Sequence, residues 1–495
     1  MTETTLLAGR ICAPASLGRV LVLGLGVSGM AVARYLLPLL GSRVETLTVA
    51  TGAADAEARA WADEARAQGA VVLFDHETVE GSYDLCIASP GISQFSDFYR
   101  SAERACGEVI SEVEFAWRES AADARWIAIT GTNGKTTTTA LTAHLLRAAG
   151  LDACAVGNIG DTCIDAVAKG AAQVYVAECS SYQLASTKRF APDAAVVLNI
   201  KPDHLSWHRS HENYAAAKWK ILANLATRPH ATAVLNASDD EVRAKVRELK
   251  ALTPAERGFA YLPLGTAAGI EGDMRAACGS DNAAFVGADG MLRVALGGVE
   301  IDLVRADELQ IKGAHNVVNA LAAAAACLAV GADAEGVRAG LRSFTALEHR
   351  IEPAGTVAGV ACYNDSKATN VDAVLAAITA FGAVKPIIML GGRDKGTDLA
   401  PLVEACRAHA KAVVCFGESL MRFLPAFEPL AQDGVPVARA EHLPDAFETA
   451  LGLAEAGDVV LLSPACASFD EFSCFEERGR VFKALVAAHA ARAAQ

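Results

Sequence analysis

Seven residues, Gly131-Thr132-Asn133-Gly134-Lys135-Thr136-Thr137, set two glycines, a lysine and three hydroxyls between an apolar run and a helical stretch. Trp126–Thr130 reads as a strand, and the segment leading to Gly150 reads as a helix. A helix N-terminus exposes unpaired N–H groups and carries a partial positive charge. Glycines let the backbone close around an anion, and a lysine reaches its outer oxygens. The chemistry this combination serves is phosphate binding. The loop is shorter than the general phosphate-loop pattern, whose first glycine would fall at Ile129.

Nucleotide phosphates bring Mg²⁺, which takes hard oxygen ligands. Thr136, next to the lysine, can supply one. Glu178 can supply another, because VYVAECSSYQL ends an apolar strand on it, facing the same edge as the loop. LNIKPDHLSWH closes a further strand with Asp203-His204, which makes His204 a candidate beside the same metal.

A second glycine turn, Gly24-Leu25-Gly26-Val27-Ser28-Gly29, follows the strand Val20–Leu23 and fits a dinucleotide fingerprint. A nicotinamide site also wants an acid at the end of the next strand, about 20 residues on. Val44–Ala50 ends without one, and Glu45 lies at its start. The turn therefore reads as a rest for a pyrophosphate, and a dehydrogenase is disfavoured.

These loops need strands to hold them. Three successive blocks repeat strand, turn and helix, which implies an α/β protein of mostly parallel sheets with its chemistry beyond the strands' carboxyl ends. Hydrophobic residues make up 52% of the 495, charged residues 21% and aromatics 6%, which suits a large Ala-, Val- and Leu-rich core. The net charge of −14 argues against nucleic acid or an anionic membrane as partner. Thirteen cysteines without metal-ligand spacing read as reduced thiols of a cytoplasmic protein. No basic stretch followed by an apolar one opens the chain, so no secretory leader is expected. The longest apolar run, Val317–Ala332, is shorter than the about 20 residues of a bilayer span, so no membrane insertion is expected.

Ten stretches then fall into one order: GTNGKTTT, VGNIGDT, ECSSYQL, KPDHLSWH, YAAAKWKIL, KGAHNVVNALAA, LEHRIE, NDSKATN, LGGRDKG and SPACASFDEF. In that order they resemble the Mur ligases of peptidoglycan synthesis, from the first glycine turn to the last helix. GLGVSG and SPACASFDEF are similar to the D-glutamate-adding branch, and the Asp-Asn-Pro-Arg signature of the diamino-acid-adding branch is absent. Folylpolyglutamate synthetases share the phosphate loop but lack a comparable first domain.

The resemblance implies three domains: a Rossmann-like domain over 1–118 for a uridine diphosphate substrate, a central P-loop ATPase-like domain over 119–346, and a Rossmann-like domain over 347–495. It implies a monomer that uses ATP to join D-glutamate to UDP-N-acetylmuramoyl-L-alanine through an acyl phosphate. Residues 131–137 would cradle ATP, with Lys135 on the outer phosphates. Thr136 and Glu178 would hold one Mg²⁺ and His204 a second. The lysine matching Lys218 is carbamylated in this family and serves the metal site, whereas the residues alone place Lys218 on a helix surface. Asn319, Arg350 and Asp365 would reach ATP. Val27, Ser28 and Gly29 would meet the uridine diphosphate end, and Asn158 and Ser180 the muramoyl part. Thr369, Lys395, Ser468, Phe469 and Phe475 would surround D-glutamate. Because ATP would touch two domains, closure about Ser343–His349 is expected.

The chain departs from that pattern in places. The Asp-Thr-Arg run that helps to hold uracil in well-known members is replaced by Val49-Ala50-Thr51-Gly52. Ala53–Gly69 reads as an added helix. Pro263–Gly298, rich in Gly, Ala and Asp, reads as irregular short strands or a mobile loop.

Overall fold

The computed structural model describes residues 5–52, 56–265 and 279–493. Runs such as Val20–Leu23 and Ile387–Gly391 are apolar on both faces, and helices cover both sides of the sheets they form, as buried parallel strands require.

The first sheet contains β1 (Gly18–Leu23), β2 (Val44–Ala50), β3 (Val71–Leu73), β4 (Tyr83–Ala88) and β5 (Cys106–Ser111). Its order is β3-β2-β1-β4-β5, parallel throughout. Strand order reverses beside β1, so the glycine turn after β1 lies at the switch point where such sheets bind ligands. The helix that follows spans Val27–Leu36, and a 3₁₀ turn at Leu37–Leu39 ends it, since Pro38 removes a donor. The expected added helix is present as Ala56–Ala67; residues 53–55 lie outside the described residues.

The second sheet contains β6 (Arg125–Thr130), β7 (Ala153–Gly157), β8 (Val174–Glu178), β9 (Ala194–Val197), β10 (Thr232–Asn236), β11 (Ala260–Gly265), β12 (Ala283–Val286), β13 (Met291–Leu296) and β14 (Val299–Arg305). Its order is β14-β13-β12-β11-β10-β9-β6-β8-β7. The central strands are parallel, while β12, β13 and β14 are antiparallel neighbours. Where it is described, the stretch 263–298 forms short strands, the first of the two expectations: it completes β11 and supplies β12 and β13, with a register shift near Met291. Gly297 and Gly298, both at positive φ, make the two-residue turn into β14. Residues 266–278 of that stretch lie outside the described residues.

The third sheet contains β15 (Glu352–Val357), β16 (Val360–Asn364), β17 (Ile387–Gly391), β18 (Ala412–Phe416), β19 (Val437–Arg439) and β20 (Val459–Ala465). Its order is β15-β16-β20-β17-β18-β19, parallel except for the β15–β16 pair.

The chain divides into two compact units. One comprises Met1–Glu308 with Val318–Arg342, and the other Leu309–Val317 with Ser343–Gln495. In the first unit one apolar core runs through both sheets. The helix Glu112–Glu119 is buried along its whole length. Its Trp117 meets Phe190 edge-on at 5.9 Å, and Phe190 in turn meets Trp126 at 6.1 Å. Glu114 of this helix pairs with Arg118 and accepts from the Arg189 amide at 2.9 Å. Residue 118, the expected end of the first domain, lies inside this helix. The second unit has its own apolar layers on the two faces of the third sheet.

Candidate active site

β6 and β8 are neighbours in register, so Ile129 pairs with Glu178 and the phosphate loop starts beside that carboxylate. The loop passes Gly134, which adopts φ +85° and precedes the helix Lys135–Ala148. A Cβ on Gly134 would come within 2.6 Å of Asn319 Oδ1, so the expected ATP residue Asn319 lies against the loop. Lys135 Nζ donates to Thr132 O at 2.9 Å. Thr136 and Thr137 are both buried in the first helical turn.

Glu178 is 1% exposed. One oxygen accepts from Asn158 Nδ2 at 2.9 Å, while Oε2 is buried without a protein partner. A buried carboxylate oxygen with no donor is costly, and a hard cation is the group that would offset it. With the Thr136 hydroxyl at the same edge, the donor set fits Mg²⁺. Ser180 caps the short helix Ser181–Ala185, accepting from Gln183 N at 3.2 Å while Gln183 Oε1 takes the Ser180 amide at 2.9 Å.

Lys218, on the helix His211–Trp219, is 1% exposed rather than on the surface. The polar composition of the helix conceals this, since its Tyr214 and Lys218 face inward together. Lys218 Nζ donates to Gly131 O at 2.7 Å and sits 4.7 Å from the centre of the Tyr214 ring. Burial first, and the Lys135 charge second, hold its pKa well below the ordinary lysine value; Asp203, Cys179 and Glu178 pull the other way. The amine is therefore biased towards its neutral, nucleophilic form.

His204 adopts φ +52° at the start of the turn Leu205–His208. Its ring lies 4.9 Å from Tyr182 and 6.3 Å from Tyr214, and its Nε2 is 3.5 Å from Asp203 Oδ2.

In the first sheet, Val27 is 82% exposed beyond β1 with Ser28 beside it, as a ligand-facing turn requires. Gly29 is buried, and a Cβ there would stand 2.0 Å from Gly24 O. Its glycine is needed for close packing of the helix on the turn.

In the second unit, Asp365 is buried beyond β16. Its carboxylate accepts from Ser463 Oγ at 2.7 Å and from the Ile351 amide at 3.2 Å, beside the expected ATP residue Arg350. Burial raises its pKa to about 7, against the lowering effects of Ser463 and Arg350. The neighbouring Asn370 caps the helix Val371–Ile378 through Ala373 N at 2.8 Å. Thr369 lies in the loop after β16, exposed Lys395 in the loop after β17, and Ser468 and Phe469 in the loop after β20. Ser468 is buried and Phe469 is 60% exposed. Phe475 opens the last helix, with Lys367 Nζ 5.2 Å from its ring centre.

Residues 129–327 match the Mur ligase middle domain, and residues 349–466 match the Mur ligase glutamate ligase domain. A UDP-N-acetylmuramoylalanine--D-glutamate ligase of Koribacter versatilis is 37% identical over 94% of this chain and 97% of its own length. That of Acidobacterium capsulatum is 38% identical over 96% and 97%. The chain belongs to the Mur ligase family. Solved Mur ligases share its fold. MurF from Acinetobacter baumannii superposes with a TM-score of 0.56 at 18% identity, covering 90% of both chains. UDP-N-acetylmuramate-alanine ligase from Thermotoga maritima gives 0.54 at 19%, covering 95% of this chain and 99% of its own.

This Mur ligase also uses residues that its sequence did not single out. Asn199, just past β9, accepts from the Thr132 and Asn133 amides at 3.0 and 2.8 Å and donates to Asn133 O at 3.1 Å, so it clamps the phosphate loop. Tyr214 OH bonds Thr132 Oγ1 at 2.9 Å. His208 is fully buried with Nε2 2.9 Å from Ser181 Oγ, and burial followed by the His204 charge pulls its pKa down to about 4. The strand-end position of Asn199 was a usable signal, whereas the burial of His208 and Tyr214 depends on packing between distant segments.

Proposed function

We propose that this chain is an ATP-dependent ligase that adds D-glutamate to UDP-N-acetylmuramoyl-L-alanine, in the cytoplasmic synthesis of peptidoglycan precursors. The observation that carries the chemistry is the unpartnered, buried Oε2 of Glu178 beside the phosphate loop. The likeness to D-glutamate ligases over almost the whole chain supports the choice of substrates.

A carboxylate oxygen is a poor leaving group, and phosphorylation makes it a good one. The muramoyl-L-alanine carboxylate attacks the γ-phosphorus of ATP, giving an acyl phosphate and ADP. The amine of D-glutamate then adds to the acyl carbon, loses a proton and expels phosphate from the tetrahedral intermediate. Two anions meet in the first step, so fixed positive charge must face them. Lys135 and the amides of residues 131–137 serve the β- and γ-phosphates. Thr136 and Glu178 would hold one Mg²⁺ and His204 a second; when bound, the ions neutralise phosphate charge. Lys218 supports carbamylation because a neutral amine is the form that adds CO₂, and the product would carry its negative charge towards the same edge as Glu178.

Val27 and Ser28 serve the uridine diphosphate end, and Asn158 and Ser180 the muramoyl part. Asn319, Arg350 and Asp365 serve ATP, and Thr369, Lys395, Ser468, Phe469 and Phe475 the D-glutamate. The domain 1–118 would take the uridine diphosphate end, 119–346 the muramoyl part and the ATP phosphates, and 347–495 the adenosine side of ATP and D-glutamate, in a monomer that acts without nucleic acid. No helix among the described residues is long and apolar enough to cross a membrane.

The test is an amino-acid screen with UDP-N-acetylmuramoyl-L-alanine and MgATP, reading phosphate release. D-Glutamate should stimulate release and should be incorporated into the product. Stimulation by another amino acid but not by D-glutamate would overturn the substrate assignment.

A further inference from the structure

The last helix, Phe475–Ala493, begins FEERGRVFK, a charged pattern that suits a solvated face. Arg478 does not follow that pattern. Its side chain is among the largest that are fully buried, with the residue 1% exposed. It makes five hydrogen bonds, all to neutral oxygens. Nε donates to Ser366 Oγ at 2.9 Å, Nη2 to Ser366 O at 2.8 Å and Cys466 O at 3.1 Å, and Nη1 to Ala467 O at 3.3 Å and Gly391 O at 3.4 Å. None of its hydrogen bonds reaches a carboxylate. Burying a cation that no carboxylate touches is expensive, and burial pulls its pKa down to about 10 against the raising effects of Cys466, Asp470 and Glu471.

The oxygens it gathers have one thing in common. They belong to the carboxyl end of β17 and to the loops that follow β16 and β20, adjacent strands of the third sheet. The loop after β16 carries Thr369, that after β17 carries Lys395, and that after β20 carries Ser468 and Phe469. Two further contacts lock the cluster: Ser366 Oγ donates to Phe475 O at 2.8 Å, and Arg393 N donates to Ala467 O at 2.8 Å. Gly392 has room for no side chain, since a Cβ would stand 2.3 Å from Ala467 O and 2.9 Å from Arg478 Nη1. A planar fork with five donors in fixed directions suits this geometry, and an ammonium group does not.

We propose that Arg478 is the positioning residue of the amino-acid site: it fixes the spacing of the three loops that receive the incoming dicarboxylate amino acid, and so sets the affinity for it without touching it. The proposal rests on the ligase reading above.

The test compares Arg478→Lys, Arg478→Met and Ser366→Ala in the full chain with the parent enzyme. Each substrate is varied in turn at saturating levels of the others. The KM for D-glutamate should rise at least tenfold in Arg478→Met. It should rise less in Arg478→Lys, which keeps the charge but loses the fork, and about threefold in Ser366→Ala. The KM for UDP-N-acetylmuramoyl-L-alanine should stay within twofold, and borohydride should still trap the acyl phosphate formed before D-glutamate acts. An unchanged KM for D-glutamate in the variants that keep a folded chain by circular dichroism overturns the proposal. So does a parallel rise of both KM values, which is the mark of a purely structural arginine. If the parent responds to a different amino acid, the ligase reading fails at its substrate, and the same comparison made with that amino acid decides the role of Arg478.

Discussion

Lys218 Nζ lies 2.7 Å from the carbonyl oxygen of Gly131, so the phosphate loop and a buried lysine 87 residues further on share one hydrogen bond. The lysine is 1% exposed and held towards neutrality, which is the state a CO₂ acceptor needs. Replacing Lys218 by Ala should lower kcat by at least about 100-fold, the scale on which a preorganised charge contributes. Short-chain carboxylic acids added to the assay should restore part of the loss by filling the place of the carbamate. Turnover at the parent rate would falsify a role for a carbamate in this ligase.

Glu178→Gln keeps the oxygen that Asn158 holds but replaces the unpartnered one with an amide. ATP-dependent amide formation should fall by about 100-fold or more. The melting temperature in the absence of nucleotide should be unchanged or higher, because a costly buried charge is gone. A steady-state assay and a thermal melt on one sample separate the two effects; a large drop in melting temperature would make Glu178 a structural residue.

Gly134 combines φ +85° with a neighbouring Asn319 Oδ1 only 2.6 Å from where a Cβ would stand. Gly134→Ala should therefore cost about 1–3 kcal/mol of stability from backbone strain alone. It should also weaken nucleotide binding by displacing the Asn319 side chain. Titration with MgADP in a calorimeter measures the second effect, and binding at parental affinity would contradict it.

Asp365 should impose a pH dependence on stability. Its folded pKa is about 7 and its unfolded value about 3.9, so the folded chain binds the proton more tightly. The contribution is present in full below about pH 4 and is lost as the pH rises towards 7, a change of about 4 kcal/mol. Asp365→Asn should flatten the parent's decline across that window. Denaturant unfolding at pH 4.5, 5.5 and 6.5 measures it; equal slopes for parent and variant would show that Asp365 is not the group responsible.

The parts of the site that were legible in the sequence are those fixed by local geometry. A strand, a glycine turn and a helix occur within a few residues of one another, so Gly131–Thr137 could be placed, and Glu178 followed because it ends its strand. The burial of Lys218 and Arg478 was not legible from the residues themselves, because each sits in a polar helical pattern and is buried by segments far away in the chain; only the resemblance pointed to Lys218. Lys218 is covered by the phosphate loop and Tyr214, and Arg478 by carbonyls 11 to 112 residues distant. The hairpin of β13 and β14 was hidden for a different reason: the Gly-rich composition around it weakens alternation, and only pairing with the sheet edge decides the structure.

The wholly buried helix Glu112–Glu119 has a practical corollary for anyone dissecting this enzyme. Cutting the chain after residue 118 would strand Phe115 and Trp117 in water and leave Phe190 and Trp126 without their lid. Such a fragment should aggregate on expression, whereas a piece ending near residue 342 keeps both sheets and their common interior together.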